Sequence, residues 1–164
     1  MKSSRCWLAV VLMAGRAFAS DCTVVHFTLR PTSESEIHCR LLLPPPEKWD
    51  GRFWGIGNQD RGSDLREWLF RGWQLPHARA GSATCLADMG TSGGRFGREV
   101  VRDFGWRACH LMTVEAKKRV EVFYGRAAKK SYFCGISSGG GQGFHEALRF
   151  PVYFKVLENK GKPD

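Results

Sequence analysis

The chain reads as a single α/β domain, a mostly parallel β-sheet with flanking helices. Three observations predict this. Its 164 residues are one domain's length. Short β-branched and aromatic runs come first and then alternate with helical segments, the order that builds a parallel sheet covered by helices. A Gly-x-Ser-x-Gly turn at Gly135, Ser137 and Gly139 joins a strand candidate to a helix candidate.

Val24 to Leu29 is the first strand candidate, and polar Thr32 to Glu36 make the turn after it. Ile37 to Leu43 is the second, stopped by Pro44-Pro45-Pro46, which have no N–H for a ladder. Trp49-Asp50-Gly51 reads as a turn. Arg52 to Ile56 is a third strand, running into the loop Gly57-Asn58-Gln59-Asp60-Arg61-Gly62. Asp64 to Phe70 has helical character, with Ser63 or Asp64 as its cap. Trp73 to Ala83 gives no clear pattern, because Pro76 and nearby glycines interrupt it. Cys85 to Met89 is a short strand candidate before Gly90-Thr91-Ser92-Gly93-Gly94.

Asp103 to Tyr124 is the clearest helix. Its apolar positions share one broad face, Glu115–Arg119 and Lys117–Glu121 are opposite-charge i,i+4 pairs, and Gly125 stops it. Ser131 to Cys134 is a strand, Gly135 begins a sharp turn, and Gln142 to Phe150 is a helix ended by Pro151. Val152 to Leu157 has strand character, and Glu158 to Asp164 is a polar tail.

Hydrophobic residues are 43% and charged residues 25% of the chain, an ordinary globular balance that excludes a disordered tail. Nineteen glycines, six tryptophans and eleven phenylalanines exclude a coiled coil and indicate a loop-rich fold with heavy aromatic content. No apolar run reaches about 18 residues, so stable membrane insertion is not expected. The formal charge is +9, but the basic residues are scattered along the sequence and do not alternate with aromatics, so no nucleic-acid partner is expected.

Residues 1–19 have the form of a signal peptide: Lys2 and Arg5, an apolar stretch from Cys6 to Gly15, then Ala17-Phe18-Ala19. A buried N-terminal helix is the other reading of this segment. Cleavage after Ala19 lowers the charge to +6 and predicts a secreted or periplasmic protein. Cys22, Cys39, Cys85, Cys109 and Cys134 remain. Disulfides are expected in such a compartment, and the odd count leaves at least one cysteine without an intrachain partner. No Cys-x-x-Cys pair occurs and no histidine stands at ligand spacing from a cysteine, so no metal or cofactor is expected.

The Ser137 turn carries the chemistry. A serine between two glycines at a strand-to-helix turn stands proud of the sheet, and the glycines let strand and helix approach without Cβ clashes. The following helix presents free N–H groups toward developing negative charge. Ser137 is therefore the candidate nucleophile. The Ser138 N–H is one expected oxyanion donor, and the loop after the third strand, at Asn58 and Gln59, supplies the other. A glycine- and serine-rich anion loop is the competing reading of the turn, and a plain surface turn that of the 57–60 loop.

Four segments resemble one family. They are Leu43-Pro44 with Trp49 to Asn58; Ala87-Asp88-Met89-Gly90-Thr91; Asp103 to Ala108 with His110 to Val114 and Phe123 to Arg126; and Ser131 to Phe133 with Gly135, Ser137, Gly139-Gly140, Gln142-Gly143 and Arg149-Phe150-Pro151. Together they resemble the N-terminal part of the tannase and feruloyl esterase family, exported α/β-hydrolases acting on esters of aromatic acids. The resemblance implies residues 20–151 as the N-terminal part of such a domain, with 152–164 a divergent tail. It implies an incomplete α/β-hydrolase fold, its C-terminal half and calcium-holding lid absent. It also implies a small aromatic ester as substrate and Ser137 as the acyl-enzyme nucleophile.

The chain departs from that pattern in several places. Gln59 and Asp60 replace the later glycines of a Gly-Asn-Gly-Gly loop, and a carboxylate at Asp60 would oppose an oxyanion. Ile136 replaces a cysteine that the resemblance pairs with one beside the catalytic histidine. The family's acid and histidine lie far downstream. His145 is eight residues after Ser137, some 12 Å along a helix, too far for a general base. His110 falls inside a helix, His26 and His38 on early strands, and His77 in the unpatterned segment. No triad can be assembled, so the expectation is an inactive chain, or a non-catalytic secreted interaction or structural protein retaining the fold. A sheet lacking its later strands would expose an edge through which copies self-associate.

Overall fold

The computed structural model describes residues 22–59, 65 and 70–153. The expected signal segment, nearly all of the helix expected over 64–70, Asp60, and the tail beyond Tyr153 lie outside the described residues.

Alternating apolar residues form β1 (Thr23–Leu29) and β2 (Ile37–Leu43). They make an antiparallel hairpin in which Thr23 faces Leu43 and Leu29 faces Ile37. With β3 (Arg52–Ile56), β4 (Ala83–Ala87) and β5 (Lys130–Cys134), they build one five-stranded sheet in the order β1-β2-β4-β3-β5. β2 pairs with β4 antiparallel, whereas β3 pairs with β4 and with β5 parallel. The sheet is therefore mixed, not mostly parallel as expected. The cause is the short β1–β2 connection, which permits only antiparallel pairing.

β4 covers Ala83–Ala87, two residues ahead of the expected span, because Met89 turns out of the ladder at φ 60°. The unpatterned segment is helical. Phe70–Gln74 form a π-helical turn that continues into α1 (Leu75–Arg79). Pro76 stands in the first turn of α1. The long helix starts earlier than its sequence signal. α2 (Arg98–Arg102) passes through a π-helical turn at Asp103–Arg107 into α3 (Ala108–Tyr124), and Gly125 ends it at φ 67°.

Asp103 explains that turn. Its carboxylate accepts from Arg107 Nε at 2.5 Å and from the Ser35 hydroxyl, while Arg107 Nη1 reaches Glu99 at 2.6 Å. The buried network ties the β1–β2 turn to the helix.

Helices cover both faces. On one, Cys39, Leu41, Phe53, Cys85, Ala87 and Phe133 pack against Ala108, Cys109, Met112, Ala116 and Val120 of α3. On the other, Leu42 packs with Phe70, Leu75 and Ala78, and Ile56 with Leu86, Trp54 and Trp73. No helix among the described residues is long and apolar enough to cross a membrane.

Cys39, Cys85, Cys109 and Cys134 are free thiols. None of these four forms one of the expected disulfides. Cys39, Cys85 and Cys109 sit in the core beside α3, where burial pushes their thiols well up.

Candidate active site

β3 leads one way to β4 and the chain then crosses β3 to reach β5. The C-terminal ends of β3 and β5 thus flank a topological switch point, where α/β sheets form a crevice. Both site segments leave the sheet there. Gly57 N–H donates to Cys134 O at 2.7 Å, closing the last rung before the strands part.

Ser137 adopts φ 57° and ψ −126°, a strained conformation for a residue with a side chain. It lies between β5 and α4 (Ser138–Arg149) and is exposed. The helix starts at Ser138, four residues ahead of the sequence expectation, and takes in Gly139, Gly140 and Gly141. A run of glycine disfavours helix intrinsically, but close backbone approach demands it here. A Cβ on Gly57 would stand 2.6 Å from Gly139 O, and one on Gly135 2.4 Å from the same atom. Deeper in the helix, a Cβ on Gly143 would meet the Phe133 ring at 2.7 Å.

Asn58 is fully buried, and its N–H donates to Gln142 Oε1 at 3.0 Å. Its Nδ2 donates to Ala87 O at 2.9 Å. Its carbonyl accepts from the Ser138 hydroxyl at 3.2 Å and from Gln142 Nε2 at 3.4 Å. The 57–59 loop and the start of α4 are thereby locked together. Gln142 is the residue that sequence reasoning missed. Its signal was a lone amide just past a glycine run, a polar group with no neighbour in sequence to satisfy it. Gln59, half-buried, follows at the last described position of the loop.

At the end of β4, Asp88 Oδ1 accepts from the His38 and Gly90 backbone N–H groups, both at 2.9 Å. Next to it, Met89 is buried at positive φ.

The histidines have other surroundings. His77 stacks on Trp54 at 4.4 Å between centroids, and Trp54 on Tyr132 at 4.7 Å. His110 stacks on Phe150 at 3.5 Å, with Trp106 and Tyr153 around it. His38 Nδ1 lies 3.1 Å from Thr28 Oγ1, and His26 is exposed on β1. His145 is exposed on α4. Ile136, before Ser137, is exposed, and Cys134 is a half-buried thiol. Among the described residues, no group of three or more His, Cys, Asp or Glu could hold a metal ion.

The family model for tannase and feruloyl esterase matches residues 22–157. The probable feruloyl esterase B-2 of Aspergillus flavus is 39% identical over 143 residues, covering 82% of this chain and 26% of that protein. The probable feruloyl esterase B of Aspergillus clavatus is 36% identical over 147 residues, covering 86% of this chain and 27% of that protein. The crystal structure of feruloyl esterase B from Aspergillus oryzae superposes with a TM-score of 0.73 at 30% identity, covering 81% of this chain and 26% of that one. The tannin acyl hydrolase from Aspergillus niger shares the fold, with a TM-score of 0.65 at 18% identity and the same coverage. The chain spans about a quarter of the length of the curated relatives it matches. The strained serine turn, its glycine-lined contact with the 57–59 loop and these likenesses agree: the chain belongs to the tannase and feruloyl esterase family.

Proposed function

We propose that this chain carries the nucleophile half of a carboxylic ester hydrolase acting on esters of aromatic acids. The backbone of Ser137, raised on a strained turn at the switch point, is the observation that carries the reading. In the proposed reaction, Ser137 Oγ adds to the ester carbonyl and its proton passes to a general base. The tetrahedral adduct collapses as that proton moves to the departing alkoxide, which leaves the aromatic acid bound to Ser137. Water then hydrolyses the acyl-enzyme by the same steps.

The Ser138 N–H, at the first position of α4, and the Gln59 N–H are the proposed oxyanion donors. Asn58 supports them instead of donating, because its own N–H is committed to Gln142. Export to a secreted or periplasmic compartment is part of the proposal, resting on the form of residues 1–19.

The base is the weak point. His110 is held in an aromatic box, His77 in a stack, and His145 is two helical turns from the nucleophile. The second part of the proposal is therefore that the chain alone turns over esters negligibly. The test compares wild type with Ser137→Ala on p-nitrophenyl esters. Equal and negligible rates support this part; turnover above about 1 per second, abolished by the substitution, overturns it. The substrate class is tested in a chimera in which this chain replaces the matching quarter of the A. oryzae feruloyl esterase. Methyl ferulate hydrolysis that depends on Ser137 supports the reading, and a folded chimera without it refutes it.

A further inference from the structure

Gln142 makes two bonds to one residue. Its Oε1 accepts from the Asn58 N–H at 3.0 Å, and its Nε2 donates to the Asn58 carbonyl at 3.4 Å. Exchanging the amide oxygen and nitrogen would face donor with donor and acceptor with acceptor, so this orientation of the side chain is fixed by its partner. The Ser138 hydroxyl reaches the same carbonyl at 3.2 Å, and a Cβ on Gly139 would stand 2.9 Å from it. The Asn58 carbonyl is thus held against the first turn of α4. Its side chain is tied to the end of β4, where Nδ2 donates to Ala87 O. Gln142 and Asn58 are both buried.

The Asn58 carbonyl and the Gln59 N–H belong to one planar peptide, and no peptide bond among the described residues is cis. In a trans peptide these two groups point in opposite directions. Holding the carbonyl against α4 therefore turns the Gln59 N–H away from that turn. The reversed plane would aim a carbonyl oxygen where the N–H now points, and would set donor against donor at Gln142 Nε2.

We infer that Gln142 is a positioning residue of the oxyanion hole: through Asn58 it fixes the direction of the Gln59 N–H. The inference rests on the esterase reading, in which that N–H is the second oxyanion donor. A carbonyl presented in its place would oppose the negative charge that the hole stabilises. The Gln142 amide is engaged with Asn58, so it acts through that residue.

The test is the order and direction of the Gln59 N–H vector in the full chain, from amide relaxation and residual dipolar couplings, which need no turnover. In wild type the vector should be rigid, with an order parameter of about 0.85. Gln142→Met keeps the bulk and loses both bonds. The Gln59 value should then fall below about 0.6, with β5 and the rest of α4 unchanged. Gln142→Glu separates the two bonds and keeps the test open if the methionine variant does not fold. Protonated, the carboxyl accepts and donates as the amide does; ionised, it only accepts. The Gln59 coupling in this variant should match wild type in acid and depart from it as the introduced carboxyl ionises. Glu146, one turn along α4, is present in both proteins, so wild type over the same pH range is the control. Ser138→Ala leaves both Gln142 bonds and should keep the wild-type coupling. In the A. oryzae chimera, Q142M should lower kcat about 100-fold with KM little changed. Failure of the esterase reading shows as an inactive wild-type chimera, whereas failure of the inference shows in the full chain. A Gln59 vector unchanged in folded Q142M, or one in Q142E indifferent to ionisation, overturns the inference.

Discussion

Glu146 of α4 is buried with its Oε2 3.5 Å from Nδ1 of His110 on α3, and neither carboxylate oxygen has a hydrogen-bond partner among the described residues. Burial pushes the Glu146 carboxyl up to about 7 and holds the His110 imidazole below its usual value. Both groups are thus favoured in their neutral forms, on the face where the helix after Ser137 meets the long helix.

The pH dependence of stability follows. The Glu146 contribution is fully present below the ordinary carboxylate range and is lost as pH rises through about 7. The His110 contribution is present above the ordinary imidazole range and is lost as pH falls through the lowered value. Where both groups titrate, the two contributions change in opposite directions as pH rises. Urea unfolding should show wild type losing on the order of 1–2 kcal/mol from Glu146 between about pH 6 and 9, after allowance for solvent screening. Glu146→Gln should flatten that limb. An unchanged slope in the variant would remove Glu146 as its cause.

The glycine contact at the site is tested by Gly57→Ala. The new methyl would meet backbone at 2.6 Å, where no side chain can swing aside. The expected destabilisation is about 1–3 kcal/mol or more, read as a lower unfolding midpoint. Gly141→Ala is the control, since a Cβ there meets nothing within 4 Å. It should be neutral or stabilising.

Ser137→Gly should stabilise the fold. Glycine adopts φ 57°, ψ −126° without the Cβ strain that serine bears, a difference on the order of 1 kcal/mol. A midpoint a few degrees above wild type in thermal unfolding is expected. A lower midpoint would mean that the turn is not strained.

Arg107→Ala should be severe. It leaves Asp103 fully buried with the Ser35 hydroxyl as its one remaining side-chain partner among the described residues, and removes the link to Glu99. Breaking a buried ion pair in this way costs about 3–5 kcal/mol. The double variant Arg107→Ala/Asp103→Ala, measured by the same unfolding assay, should recover part of that loss.

The strands were legible where local rules decide. Ile37–Leu43 and Arg52–Ile56 match their expected bounds, because alternation is interrupted by proline or turn residues on both sides. The direction of β2 beside β4 was not, since it depends on how the hairpin docks against a strand more than forty residues later. The helix through Asp103 begins earlier than its sequence signal, and Asp103, at the start of the π-helical turn, bonds to Ser35, 68 residues away. At the site, the glycine spacing around Ser137 made the elbow readable. The glycines at 139–141 hid the start of its helix; Gly139 is there for close contact with Gly57 and Asn58, which no local pattern shows. Nothing local couples Asn58 to Gln142 across 84 residues.

The three core thiols make the molecule its own reporter of opening. Cys39, Cys85 and Cys109 are almost inaccessible, and burial pushes their pKa up so that little thiolate is present, whereas Cys22 and Cys134 are partly exposed. A thiol-reactive dye added to the native chain would separate these classes by rate. Modification of the interior three requires α3 to lift from the sheet, so the slow phase counts departures of that helix without any denaturant.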